Sequence, residues 1–168
     1  MRLSRAISAG VVGCAIVVAL VWLGGQIDHT DADLPALAAS IVFGDTGTAA
    51  WIGGLVTQLI IATVAAFVYA GVFEFVTERA NVWLGLAIAV PHVIVAGLVV
   101  GFLPASRMIE GGVTPPGAFF EYRGLWCVVA FIVAHLAFGA VVGLLYAPTR
   151  HAYPRAHRRW SEAPRSVS

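Results

Sequence analysis

The stretch VWLGLAIAVPHVIVAGLVVGFL, residues 82–103, contains 22 residues and no formal charge. A transmembrane helix needs roughly 20 predominantly apolar residues to cross about 30 Å of hydrocarbon. Three further stretches share this length and character, at residues 6–24, 50–76 and 125–146. The only formal charge inside the four stretches is Glu74, near the end of the second. The sequence therefore predicts an all-α protein, a four-helix transmembrane bundle formed by a single domain over residues 1–146.

The overall composition excludes a water-soluble globule. Of the 168 residues, 60% are hydrophobic and only 11% are charged, and the mean hydropathy is +0.88. A soluble domain carries about 25% charged residues. All ten basic residues are arginine, which excludes a Walker-type phosphate loop and lysine Schiff-base chemistry. The net charge of only +1 indicates that a nucleic acid is not the partner of this chain.

The distribution of arginine predicts the topology. Two arginines, Arg107 and Arg123, lie between the third and fourth predicted spans. The remaining eight fall together on the opposite side of the membrane: Arg2, Arg5, Arg79, Arg150, Arg155, Arg158, Arg159 and Arg165. Cytoplasmic loops carry the excess of basic residues, so both termini are predicted to be cytoplasmic. The short connection at residues 77–81 makes the second and third spans an antiparallel hairpin.

The segments outside the spans carry their own signals. Asp33 precedes Leu34 and Pro35, which is typical of a helix N-cap followed by an early proline. We expect a short interfacial helix from there to Phe43 in the first external loop. The glycine- and proline-rich residues 111–117 predict a turn in the second external loop. The Arg-rich tail at residues 147–168 is predicted to be a disordered cytoplasmic segment that contacts anionic lipids.

Two histidines lie deep inside predicted spans. His92 is ten residues from Val82 and His135 is ten residues from Leu125, so each lies about 15 Å inside the membrane. A lipid-facing imidazole at this depth is costly, and both side chains should point into the bundle. Three interpretations remain open. The histidines hydrogen-bond across the bundle, with Gln58 and Thr63 as candidate partners; they serve a proton-linked or small-substrate pathway; or they ligate a haem or a metal.

Other intramembrane residues indicate packing or polar helix ends. Glu74 reads as the polar end of its helix, with a functional carboxylate at a cytoplasmic mouth as the alternative. Four glycines with GxxxG spacing predict faces that meet other helices or a second protein: Gly97, Gly101, Gly139 and Gly143. A stripe of alanines predicts another packing face: Ala62, Ala66 and Ala70.

The stretch from Trp51 to Tyr146, somewhat over half the chain, resembles bacterial inner-membrane proteins of the YagU-like kind. The resemblance is carried by these features, in chain order: Glu74, Trp83-x-Gly85, His92, Gly112-Val113-Thr114-Pro115-Pro116 and His135. It implies a non-enzymatic bacterial membrane protein associated with acid tolerance.

The residues themselves favour a protein without catalysis. No paired nucleophile and base, carboxylate dyad or metal-ligand cluster lies at an aqueous boundary of the sequence. We expect a structural or interaction subunit, or a stress-related protein, in the bacterial plasma membrane. The expected partners are the lipid bilayer and a second copy of the chain or another membrane protein. No cofactor is expected, with haem or metal at His92 and His135 kept as the alternative.

Overall fold

A computed structural model describes residues 2–103 and 113–146. Over these ranges all of the regular secondary structure is helical, without strands. The elements are α1 (Leu3–Asp28), α2 (Leu34–Phe43), α3 (Thr48–Phe75), α4 (Val82–Gly101), a 3₁₀ helix (Ala118–Arg123) and α5 (Leu125–Leu145). Four of them, α1, α3, α4 and α5, are long and apolar enough to cross a membrane. The predicted all-α class is confirmed, and the chain is a multi-pass membrane protein.

The first long helix extends beyond its predicted end. The sequence placed that end at Gly24, but α1 continues to Asp28, and the next residue, His29, takes a left-handed conformation with φ 53°. The glycine pair at this point serves packing. A Cβ at Gly24 would lie 2.9 Å from the carbonyl oxygen of Trp126, and one at Gly25 would lie 2.7 Å from Ala32. Because glycine has no Cβ, α1 can lie close to these neighbours. The glycine pair therefore serves packing within the helix and does not end it.

The helices are arranged around a central pair. The most extensive helix packing joins α1 to α5; α3 packs on α1 and α4 packs on α5. Helices α3 and α4 are consecutive and joined by only residues 76–81, yet their backbones make little direct contact. The short connection predicted a hairpin between close neighbours. Helix α4 packs mainly on α5, whereas α3 packs mainly on α2 and next on α1, and the small residues on α1 and α5 allow these close approaches.

Small residues set these close approaches. A Cβ at Gly10 of α1 would lie 3.3 Å from the Cβ of Ala66 on α3, and Ala66 and Ala70 are fully buried. A Cβ at Gly139 of α5 would lie 2.6 Å from the Cβ of Ala89 on α4. The alanine stripe and the α5 glycines therefore form helix contacts within one chain.

The short helix α2 forms at the predicted residues. The Asp33 carboxylate accepts a hydrogen bond from the Ala36 backbone N–H at 2.8 Å, which satisfies one of the free donors at the helix start. Its second carboxylate oxygen accepts a hydrogen bond from the Trp51 indole at 2.9 Å. A Cβ at Gly54 would lie 2.9 Å from the Ala39 nitrogen, so α2 lies directly on α3.

Two hydrophobic clusters fill the interior. We call the end that carries Arg2 and Tyr146 the terminal end, and the end that carries α2 and the 3₁₀ helix the loop end. The terminal-end cluster is built around Tyr69, Phe73 and Phe138. The loop-end cluster includes Phe120 and Phe131, whose rings stack with centroids 5.5 Å apart.

The loop-end cluster requires an unusual backbone. Phe119 and Phe120 both have positive φ, 51° and 67°, a conformation that costs free energy in a bulky residue. A Cβ at Gly97 would lie 2.6 Å from Cγ of Phe119 and closer still to two other ring carbons, so only a glycine admits that ring against α4. The tail at residues 147–168, Arg107, and Gly111 and Gly112 of the predicted turn lie outside the described residues.

Candidate functional site

The two midplane histidines meet inside the bundle. Their ring centroids are 5.2 Å apart and the ring planes are inclined by 75°. His135 is buried, and His92 is partly buried. They lie between the two hydrophobic clusters, with the Phe138 ring centroid 5.6 Å from that of His92 and the Phe131 ring centroid 4.2 Å from that of His135. The matched depth predicted from the sequence thus becomes a direct contact between α4 and α5.

Among the described residues, His92 and His135 each make one hydrogen bond, and in both cases the bond is made through Nδ1. The Nδ1 of His135 lies 2.8 Å from the carbonyl oxygen of Phe131. Because a carbonyl oxygen can only accept, Nδ1 of His135 carries a proton and donates it, and neutral His135 keeps its lone pair on Nε2. Within the described ranges, Nε2 of neither histidine has a hydrogen-bond partner.

The second hydrogen bond gives His92 the opposite tautomer. The Tyr69 hydroxyl of α3 lies 3.1 Å from Nδ1 of His92. The hydroxyl has no acceptor other than this nitrogen among the described residues, so the arrangement that uses its proton has Tyr69 donating to Nδ1. Neutral His92 then carries its proton on Nε2. One imidazole therefore offers an N–H and the other offers a lone pair.

A cavity of about 60 Å³ adjoins both rings. Its walls also include Cys14 of α1 and Gln58 of α3, and no charged residue lines it. This volume exceeds the roughly 10–15 Å³ needed to hold a water molecule. It is far below the roughly 300 Å³ of a small ligand pocket. The residues present therefore fit water and do not fit a haem, because the rings touch each other where the macrocycle would lie.

A metal finds no complete ligand set here. Among residues 2–103 and 113–146, no group of three or more His, Cys, Asp or Glu side chains is placed to hold a metal ion. Cys14 and Cys127 are both buried free thiols. Cys127 lies at the start of α5, where its sulfur is 3.5 Å from the Thr30 hydroxyl.

The predicted partners of the histidines differ from the observed ones. The Gln58 amide donates to the Leu34 carbonyl oxygen at 3.3 Å, so it anchors α2 to α3 instead of bonding a histidine. Thr63 presents its backbone to Gly10 of α1. The partners found in the structure are the Tyr69 hydroxyl and a carbonyl of the histidine's own helix. The sequence shows a hydroxyl at Tyr69 inside the second predicted span, but it does not show which helix that hydroxyl meets.

Glu74 is held inside the protein at the terminal end. It is only 4% exposed, and it accepts a hydrogen bond from the Tyr146 hydroxyl at 2.7 Å. The same hydroxyl accepts from the Arg2 backbone N–H at 3.3 Å. The sequence predicts Glu74 as the polar end of its helix, and the structure places the carboxylate at that end but buries it. The end of α5 covers it, so Glu74 ties three helix ends together.

The loop end has a second buried polar group. The guanidinium of Arg123 donates to the backbone carbonyl oxygens of Asp31 and Thr114. Burial lowers the pKa of Arg123 and the neighbouring Asp31 raises it, but a guanidinium stays charged in proteins. The sequence used Arg123 only as a topology signal. In the structure, the Arg123 side chain links the first loop at Asp31 to the second loop at Thr114.

A carboxylate at the end of α1 also caps the start of α5. Oδ2 of Asp28 accepts a hydrogen bond from the Cys127 backbone N–H at 2.9 Å, and the Thr30 hydroxyl donates to the Arg123 carbonyl oxygen at 3.0 Å. Asp28 lies 99 residues from Cys127, so no local sequence pattern could identify this cap.

The four packing glycines all face neighbours in their own chain. Cβ atoms at Gly97 and Gly101 would meet Phe119 and Ala118 beside the 3₁₀ helix. At Gly139 and Gly143 they would meet Gly85 and Asn81 near the start of α4. The glycine faces are therefore used for folding the monomer.

The chain matches no protein-family model, no curated protein and no solved structure.

Proposed function

We propose that this chain is a non-enzymatic, proton-responsive protein of the bacterial plasma membrane. The observation that carries the proposal is the contact between His92 and His135 at mid-depth. With the tautomers inferred above from their hydrogen bonds, one ring offers an N–H and the other a lone pair. Imidazole is the side chain whose unperturbed charge changes near neutral pH. An acid-linked role also agrees with the resemblance to YagU-like proteins.

The geometry supports His135 as the proton acceptor. Its Nε2 lone pair is the free imidazole acceptor of the pair, because Nδ1 of His92 already accepts from Tyr69. A second charge on His92, 5.2 Å away between ring centroids, would add repulsion of roughly 3 kcal/mol at an effective dielectric constant of about 20. We therefore infer that the pair takes up one proton.

The response follows from the surroundings of that charge. The titratable groups facing the pair are Tyr69 from α3 and Cys14 from α1, and neither is an anion at neutral pH. The new charge is stabilised only when water enters the cavity or the helices move. Helices α3 and α4 make little direct contact, and among the described residues the Tyr69–His92 hydrogen bond is the polar link between them. Acid therefore favours a more hydrated bundle that opens along this side.

We also propose the predicted topology, with both termini in the cytoplasm. Eight of ten arginines on one side support it. Trp51, Trp83 and Trp126 lie within the first turn of their helices, where the membrane interface favours indole rings. On this topology α2 is an interfacial helix of the external side. A cytoplasmic reporter fused after Ser168 should be active, and an externally active one would refute the orientation.

The experiment uses the full chain in lipid nanodiscs with ¹⁵N-labelled histidine. Nuclear magnetic resonance at neutral pH should show His135 protonated on Nδ1 and His92 protonated on Nε2. As the pH is lowered, the His135 signal should convert to the charged form. Hydrogen exchange of α3 and α4 amides, corrected for intrinsic rates, should increase over the same pH interval.

Two variants make the test specific. His135→Gln should remove the acid-induced increase in exchange, since glutamine cannot gain a charge. His29→Gln should leave it intact, because His29 lies on an exposed turn outside the bundle. An increase of the same size in His135→Gln, or a His135 signal that stays neutral while α3 and α4 open, would refute the proposal.

A role as an interaction subunit is the second candidate. It needs a contact surface other than the glycine faces, which the chain uses internally. The broad lipid-facing side of α3 offers one: Ile52, Val56, Ile60, Val64 and Val68 are each about half exposed or more. We propose a second copy or another membrane protein as its partner. Crosslinking of this α3 face to a second copy or to another membrane protein would support the interaction role. Gly139→Leu should then lower the stability of the chain and leave the association unchanged.

A further inference from the structure

A lateral groove opens between α1 and α3 on the loop-end side of the midplane. Its volume is about 490 Å³, which falls within the range of roughly 300–1,000 Å³ for ligand-binding clefts. Apolar side chains of α1, α2 and α3 form nearly all of its wall, and the α1 side includes the exposed alanines Ala15 and Ala19. Among the described residues no other element lines it, so this side of the groove faces the hydrocarbon of the membrane.

The groove results from the way the helices diverge. At the terminal end α1 and α3 touch through Gly10 and Ala66. At the loop end α2 lies against α3, with Pro35 directly over Gly54, and it holds the two long helices apart. The space between them is therefore built by the backbone and does not depend on a flexible side chain.

The groove has the length of one membrane leaflet. Along α1 it runs from Val11 to Trp22, and at 1.5 Å per residue this is about 16 Å. Half of the hydrocarbon core is about 15 Å. Its deep end reaches Cys14, which also lines the histidine cavity. Its shallow end reaches the indoles of Trp22 and Trp51. One extended acyl chain, running from the interface to the midplane, matches these dimensions.

The shallow end also indicates the headgroup. Asp33 is the charged residue of the groove and lies beside Trp51. No lysine or arginine occurs from residue 6 to residue 78, a segment that includes four aspartates. The guanidinium of Arg123 is directed to backbone carbonyls. A carboxylate and two indole faces favour a cation and disfavour an anion.

We propose that the lateral groove binds one acyl chain of a phospholipid whose headgroup carries an ammonium, such as phosphatidylethanolamine. The bound chain separates the histidine cavity from bulk lipid at Cys14. The proposal rests on the membrane-spanning fold and is independent of the proton response, so either can fail without the other.

The test uses the full chain reconstituted in vesicles containing equal phosphatidylethanolamine and phosphatidylglycerol with identical acyl chains. After extraction in a mild detergent, native mass spectrometry counts the lipids retained. We expect one retained phosphatidylethanolamine per chain, in preference to phosphatidylglycerol. Ala15→Phe should abolish retention, because it adds a ring to the α1 wall of the groove at an exposed position, without disturbing a buried contact.

The matched control is Val95→Phe, which adds a similar ring to the lipid-facing side of α4, where Val95 is 59% exposed. It should retain the lipid as the wild-type chain does. Asp33→Asn keeps an N-cap side chain and should lose the headgroup preference while keeping an acyl chain. Circular dichroism and size exclusion establish that each variant is folded. No retained lipid in the wild type, equal retention of both lipids, or equal retention by Ala15→Phe and Val95→Phe would overturn the proposal.

Discussion

The contact between α4 and α5 makes Gly85→Ala a severe test of the fold. A Cβ at Gly85 would lie 2.9 Å from the carbonyl carbon of Gly139, closer still to its oxygen, and 3.2 Å from the Cα of Gly143. Ordinary contact begins near 3.4 Å, so the helices must separate locally by at least 0.5 Å. The obstructing atoms belong to the backbone, and no side-chain rotation can relieve the clash.

The expected cost follows from this separation. A gap of about 0.5–1 Å forfeits a quarter to a half of each dispersion contact along the interface. Overpacking typically costs about 1–3 kcal/mol, and we expect Gly85→Ala to fall near the upper end of that range. The free energy of unfolding would be measured in mixed micelles by denaturing-detergent titration, with circular dichroism as the readout.

Gly71→Ala is the matched control. Gly71 also lies inside a long helix, α3, but a Cβ there would have nothing within 4 Å. Because glycine is entropically costly in a helix, this substitution should be neutral or stabilise by up to about 1 kcal/mol. If the two alanine variants unfold at the same detergent concentration, the close α4–α5 contact is refuted.

Two further substitutions test polar contacts. Tyr69→Phe removes the hydroxyl that donates to His92. It should lower the free energy of unfolding by about 0.6–1.7 kcal/mol and change the tautomer of His92. ¹⁵N magnetic resonance detects the tautomer, and an unchanged His92 spectrum would contradict the contact. Asp28→Ala removes the acceptor for the Cys127 backbone N–H and should cost about 0.5–2 kcal/mol. Asp45→Ala, which affects only an exposed turn, should cost less in the same titration, and a greater loss there would contradict the capping role.

Much of the architecture could be predicted because it depends on composition. Charge-free runs of about 20 residues predict spanning helices, since an uncompensated charge in hydrocarbon is costly. The Asp33 cap and Pro35 predicted α2, because these residues act on the backbone nearest to them. The depth of His92 and His135 followed from helix rise alone. These inferences need only local sequence and the thickness of the membrane.

The partners of those residues depended on the packing of the helices. A helix that is apolar all round carries no stripe that marks its buried side, because lipid is as apolar as the protein interior. The sequence therefore could not tell that Tyr69 contacts His92, or that Tyr146 covers Glu74. Nor could it tell that α3 and α4, adjacent in sequence, would make little direct contact, with α4 packing mainly on α5 and α3 packing on α2 and α1. Small residues marked where backbones approach, but the identity of the approaching backbone was settled by the three-dimensional fit of all the helices together.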